Sequence, residues 1–144
     1  MNATAKSDQG KQDVSARLKI RYPDPTAVTA TLGIAPDECW RAGDTRRGGT
    51  VPSKFGSWRL VESERDIPDD AWCAEFIERC LQRLLLRIEP GDFRMRLAQL
   101  DPNLRPTIVL TGSLHGLPNV YFPPELLAKI VALGAGLDQD FYPL

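Results

Sequence analysis

Several kinds of chemistry are excluded by scarcity. The chain has one histidine, His115, and three cysteines, Cys39, Cys73 and Cys80, with no C-x-x-C pair among them. That set has no zinc-ligand spacing, so no metal is expected. There is no G-x-x-x-x-G-K-[ST] phosphate loop and no dinucleotide fingerprint, so no cofactor is expected either. No apolar run approaches membrane-spanning length, and the opening MNATAKSDQGKQD reads as neither secretory signal nor anchor. An excess of one charge is also missing. Eighteen Lys and Arg stand against 19 Asp and Glu, a formal net charge of -1. Nucleic acid and anionic membranes favour strongly basic surfaces, so neither is expected as a partner. Cys73 and Cys80 fall two turns apart on one helix face and cannot bridge. All three cysteines read as small core hydrophobes in a reducing, cytoplasmic compartment.

What remains is an ordinary globular composition, 42% apolar and 26% charged, in 144 residues. That length makes one domain with a core of its own. Residues 1–14 are polar and read as a disordered tail before a single domain over 15–144. Ala16 to Tyr22 alternates, with Leu18, Ile20 and Tyr22 on one side and Arg17, Lys19 and Arg21 on the other. That is a strand with one wet face. Asp24-Pro25 opens a short helix that Gly33 closes. Cys39 to Arg41 and Ser57 to Glu62 read as a hairpin with a long loop, and Trp58 and Leu60 share a face of its second strand.

The strongest period runs from Asp70 to Ile88, where Trp72, Cys73, Phe76, Ile77, Cys80, Leu81, Leu84, Leu85 and Ile88 make one apolar stripe. Pro90-Gly91 stops it, and Phe93, Leu97 and Leu100 continue in a second helix. Thr107 to Leu114 is a β-rich central strand, and Val120 to Phe122 a short edge strand. Pro123-Pro124-Glu125 opens a last helix with Leu126, Leu127, Ile130 and Leu133 inward. Leu137 to Tyr142 closes the chain as a strand. The expected fold is α+β, a mainly antiparallel sheet with helices on one face and a ferredoxin-like centre.

The candidate site is the stretch from Trp40 to Arg59. Arg41, Arg46, Arg47, Lys54 and Arg59 sit there with Asp44 as the one acid. Guanidinium forks bind carboxylate or phosphate two bonds at a time, and glycines let backbone N–H groups converge on an anion. One reading is an anion pocket walled by Trp40 and Trp58. The other is a brace in which Asp44 pairs with an Arg and both Trp rings pack. His115 reads as an exposed turn residue. Glu62, Glu64, Asp66, Asp69 and Asp70 read as a solvated connection, and Arg79, Arg83 and Arg87 as a basic helix edge.

The string LGIAPDECWRAGDTRRGG, the Trp-x-Leu strand after it and the closing PPELLAKIVALGAGLDQDFY resemble the bacterial domain of unknown function 4279 family. The resemblance spans roughly residues 17–142. It implies a small uncharacterised domain and names no reaction, so no catalytic residue is carried over. Together these readings favour a non-catalytic protein-binding module, of immunity or regulatory type. It would work through Trp40, Arg41, Asp44, Arg46, Arg47, Trp58 and Arg59. The alternative is an enzyme or sensor holding a small anion on Arg46 and Arg47, with Asp44 or His115 as base.

Overall fold

A computed structural model describes residues 10–46 and 48–144. The elements run β1 (Gln12–Arg21), α1 (Pro25–Leu32), β2 (Glu38–Trp40), β3 (Ser57–Ile67), α2 (Cys73–Leu86), α3 (Pro90–Leu100), β4 (Thr107–Leu114), α4 (Pro124–Leu133) and β5 (Gly136–Pro143). The five strands form one sheet in the order β2-β3-β1-β4-β5. All neighbours are antiparallel except β4 and β5, which are joined through α4 as a parallel pair requires. The fold is α+β.

Strand alternation decides which face is covered. Val14, Ala16, Leu18 and Ile20 of β1, Trp58 and Leu60 of β3, and Ile108, Leu110 and Leu114 of β4 all point to one side and are buried. The helices close over that side. Ile77, Cys80, Leu81, Leu84 and Leu85 of α2 bring its stripe down on the sheet. Phe93 and Leu97 of α3, with Leu126, Ile130 and Leu133 of α4, complete the core. Burial pushes the Cys80 thiol up to about 11, in keeping with a packed, unreactive sulfur. Cys39, by contrast, is exposed rather than a core residue, because it lies on a three-residue edge strand.

Local chemistry sets the ends. Asp24 caps α1 by accepting from the Thr26 N–H at 3.1 Å, and Gly33 ends it in the left-handed region with φ 72. Three boundaries differ from expectation. The polar tail does not reach residue 14. Gln12 is already in β1, its amide donating to Pro68 O at 3.0 Å and its Oε1 accepting from the His115 N–H at 3.1 Å. Residues 1–9 lie outside the described residues. Helix α2 starts at Cys73, leaving Trp72 at its N-cap 72% exposed. Val120 to Phe122 is not a strand.

Because β2 pairs only with Ser57 to Arg59, the outer edge of β3 beyond Arg59 has no strand partner. Side chains fill it. The Asp37 carboxylate accepts from the Val61 N–H at 2.7 Å and from both Arg87 terminal nitrogens, at 2.6 and 3.2 Å. Arg87 and Arg83 donate to the carbonyls of Val61 and Ser63 at 3.3 and 3.2 Å. An edge satisfied this way is poorly placed to pair with another chain. The Arg87 hydrogen bond is the leading cause that holds the Asp37 carboxyl below its usual 3.8. The ionised form is therefore favoured by folding, and its contribution is complete above that pH and is lost as pH falls through the lowered value. Asp37→Asn is expected to cost about 1–2 kcal/mol at neutral pH, the low end for a charged hydrogen bond because the pair is partly exposed. Chemical denaturation across pH checks this: the gap between native and variant should narrow below about pH 4.

Candidate functional site

The alternation that buries one sheet face leaves the other open. Arg17, Lys19 and Arg21 of β1 point there, with Arg59, Val61 and Ser63 of β3 and Thr107, Val109 and Thr111 of β4. The register places Lys19 opposite Arg59 on one side and Thr107 on the other. Arg17 donates to Thr111 Oγ1 at 3.4 Å, and the Ser15 and Thr111 hydroxyls are 2.6 Å apart. The Nε of Arg17 is buried with no hydrogen-bond partner among the described residues. A polar cleft of about 340 Å³ opens beside it, lined by Ser15, Ser63, Thr111, Lys11, Arg65 and Asp66 among others.

At one corner this face gains aromatic rings. Trp40 of β2 pairs with Ser57, and the guanidinium carbons of Arg46 and Arg59 lie 4.0 and 4.5 Å from its ring centroid. Arg21 stacks on Phe55 at 4.5 Å. Each such contact is worth about 0.5–1 kcal/mol where solvent reaches it. The stacking holds flat cations in place without neutralising them. Glu38 approaches Arg59 at 3.9 Å, too far for a tight pair.

The crowding has an electrostatic signature. Burial lowers the Arg59 pKa first, Glu38 opposes, and Arg46, Arg17 and Arg21 lower it further. Lys19 is lowered by burial, then by Arg59 and Arg21, with Asp138 pulling the other way. Five cations thus sense one another across one corner of one sheet face.

The structure brings together three residues of the expected site, Trp40, Arg46 and Arg59. Arg41 turns away, its Nη2 3.2 Å from Asp24 Oδ1 and 3.4 Å from Thr26 Oγ1 at the start of α1. Asp44 braces the loop: its carboxylate accepts from the Arg41 N–H at 2.8 Å and its carbonyl from the Ser53 N–H at 2.8 Å. Trp58 is fully buried on the opposite face, its ring N–H donating to Thr29 Oγ1 at 3.0 Å. It therefore cannot wall a pocket with Trp40. Arg47 lies outside the described residues.

His115 is exposed, its Nε2 3.0 Å from Asp69 Oδ1. It follows β4 at the end where Asp13 pairs with Ser113, while the Trp40 corner lies where Arg21 pairs with Ser57. At a strand rise of about 3.3 Å per residue those ends are about 26 Å apart. His115 and Arg46 do not share a site.

The basic edge of α2 is mostly consumed internally. Arg83 meets Glu64 at 2.6 Å and Glu62 at 3.5 Å, and Arg87 holds Asp37, while Arg79 stacks on Phe76 at 5.0 Å. Sequence reasoning missed Arg17, Lys19, Arg21 and Phe55 as partners of the loop. The signal was present in three outward cations at every second position of β1, but only the register carries them to Trp40. Among the described residues, no group of three or more His, Cys, Asp or Glu could hold a metal ion. No helix among them is long and apolar enough to cross a membrane.

The model of a family described as "Domain of unknown function (DUF4279)" matches residues 13–144. No curated protein matches the chain, and no solved structure does.

Proposed function

The chain belongs to the DUF4279 family, whose description names no activity, and from that premise we propose that it is a non-catalytic binding module. Its open sheet face takes an acidic surface of another protein. The observation that carries this reading is the cluster of Arg17, Lys19, Arg21, Arg46 and Arg59 around Trp40 and Phe55, which Glu38, 3.9 Å from Arg59, answers only in part. Like charges held together on a partly buried face weaken the fold unless something answers them. Carboxylates of a partner would answer them with bidentate bonds. The rings add rigid apolar area of the kind that anchors interfaces.

Catalysis fits the arrangement less well. The one histidine pairs with Asp69 at the far end of β1, and Asp44 is engaged in its own loop. A small regulatory or immunity-type protein works by contact alone, and this face is shaped for contact.

The test uses a fluorescent oligo-glutamate peptide as probe, with anisotropy read at low and high salt. The native protein should bind it at low salt, and binding should weaken as salt rises. Arg46→Glu with Arg21→Glu, both at exposed positions, should weaken binding by more than about tenfold, a change of roughly 1.4 kcal/mol. Their unfolding midpoint should stay near the native one. Inorganic phosphate is run in parallel. If phosphate raises the unfolding midpoint and the peptide does not bind, the face is a small-anion site and the partner-protein reading fails.

A further inference from the structure

The open face is not basic throughout. On β5 the parallel register sets Asp138 beside Val109 and Asp140 beside Thr111, so both carboxylates share the face with Arg17 and Lys19. Both are exposed, and neither forms an ion pair among the described residues. The Tyr142 hydroxyl donates to Asp140 Oδ2 at 2.6 Å and fixes that carboxylate while leaving its charge. The face is therefore uneven: its cations gather over β1, β3 and the Trp40 corner, where Glu38 opposes Arg59, while β5 presents Asp138 and Asp140.

We infer that the face reads the polarity of its partner: it takes an extended segment laid across the strands, acidic where it meets the Trp40 corner and basic where it meets β5. This rests on the reading of the face as a docking surface for a protein. Dimensions agree with it. Strands lie about 4.8 Å apart, so β5 to β3 is about 14 Å and β5 to β2 about 19 Å. Five or six extended residues span that distance. Charge order matters because matched pairs gain while a reversed segment meets like charge at both ends.

A second copy of this chain, turned about an axis along the strands, would also oppose acid to base. The face has too little apolar surface for that, since β3 and β4 set only Val61 and Val109 as aliphatic side chains among its described polar and charged groups. A stable dimer buries about 800 Å² per partner around an apolar centre. Single-stranded nucleic acid would stack on the rings, but its phosphates would meet Asp138 and Asp140 as it crossed the sheet.

The experiment compares two eight-residue peptides of one composition, three Glu, two Ser and three Lys. In one, the Glu and Lys form separate blocks flanking the Ser pair; in the other they alternate. Anisotropy at low salt should show the block peptide bound about tenfold more tightly. Asp138→Asn with Asp140→Asn, isosteric and exposed, should erase that preference while strengthening oligo-glutamate binding. If oligo-glutamate binds but block and alternating peptides are equal, polarity reading is overturned while the acidic-partner reading stands. If no peptide binds, both fall. If an oligo-dT strand binds more tightly than the block peptide, or sedimentation shows a salt-sensitive dimer of the chain, the proposed occupant is wrong.

Discussion

Trp58→Ala is expected to destabilise the protein by about 3–5 kcal/mol, the range for removing a fully buried Trp or Phe from a core. Trp58 has no exposed surface and sits on β3 opposite Ile20. Its ring N–H reaches Thr29 Oγ1 on α1, so the same side chain fills the core and ties the helix to the sheet. Alanine leaves a cavity that a packed interior closes only in part, and the hydroxyl of Thr29 loses its donor. At this chain length 1 kcal/mol moves the unfolding midpoint by about 3 °C, so a fall of roughly 10–15 °C is expected. Trp58→Phe keeps most of the volume and loses the hydrogen bond, and should cost about 1–2 kcal/mol. Binding separates the two tryptophans. Trp58→Phe should leave oligo-glutamate affinity unchanged, whereas Trp40→Ala should weaken it with a small change in midpoint. A Trp58→Phe variant that keeps its midpoint and loses binding would place this ring at the working surface instead.

The two tryptophans also show where sequence reasoning reaches its limit. Alternation in β1 separates Leu18 and Ile20 from Arg17, Lys19 and Arg21, and that much is legible because it is local. The same rule, applied to β3, puts Trp58 with Leu60 on the covered side and Arg59 on the wet one. The anion-pocket reading nevertheless paired Trp58 with Trp40, because both flank one loop. Strand parity was the better guide than loop proximity. What parity cannot give is neighbours. Arg21 meets Phe55 and Lys19 meets Arg59 only through the β1–β3 register, over separations of 34 and 40 residues. The apolar stripe of α2 was readable for a similar local reason, yet its first turn was not. Trp72 satisfies the period but stands at the N-cap, where the chain has not yet turned onto the sheet. The start of β1 was hidden because Gln12 looks like tail, and its partners are Pro68 and the backbone of His115. Composition has no access to hydrogen bonds made across 56 or 103 residues.

Gly56→Ala should strike the fold and the candidate site together. Gly56 is buried just before β3, and its carbonyl accepts from the Tyr22 N–H at 3.2 Å. A Cβ there would run into the carbonyl oxygens of Tyr22 and Pro23, the second at 2.6 Å. Those are backbone atoms at the end of β1, so no side-chain rotation relieves the clash and one chain segment must shift. Overpacking commonly costs 1–3 kcal/mol where side chains can adjust, so a cost of about 3 kcal/mol or more is expected here. The shift would fall between Phe55, which carries Arg21, and Ser57, which pairs with Trp40. The corner should therefore loosen, and oligo-glutamate affinity should drop even at temperatures where the variant stays folded. Gly116→Ala is the control, since a Cβ there meets nothing within 4 Å. It should change neither midpoint nor affinity. If Gly56→Ala lowers the midpoint while affinity holds, the cations bind from a geometry that tolerates strand movement. The rigid Trp40 corner would then not be the anchor, and the search would move to Arg17 and the cleft beside it.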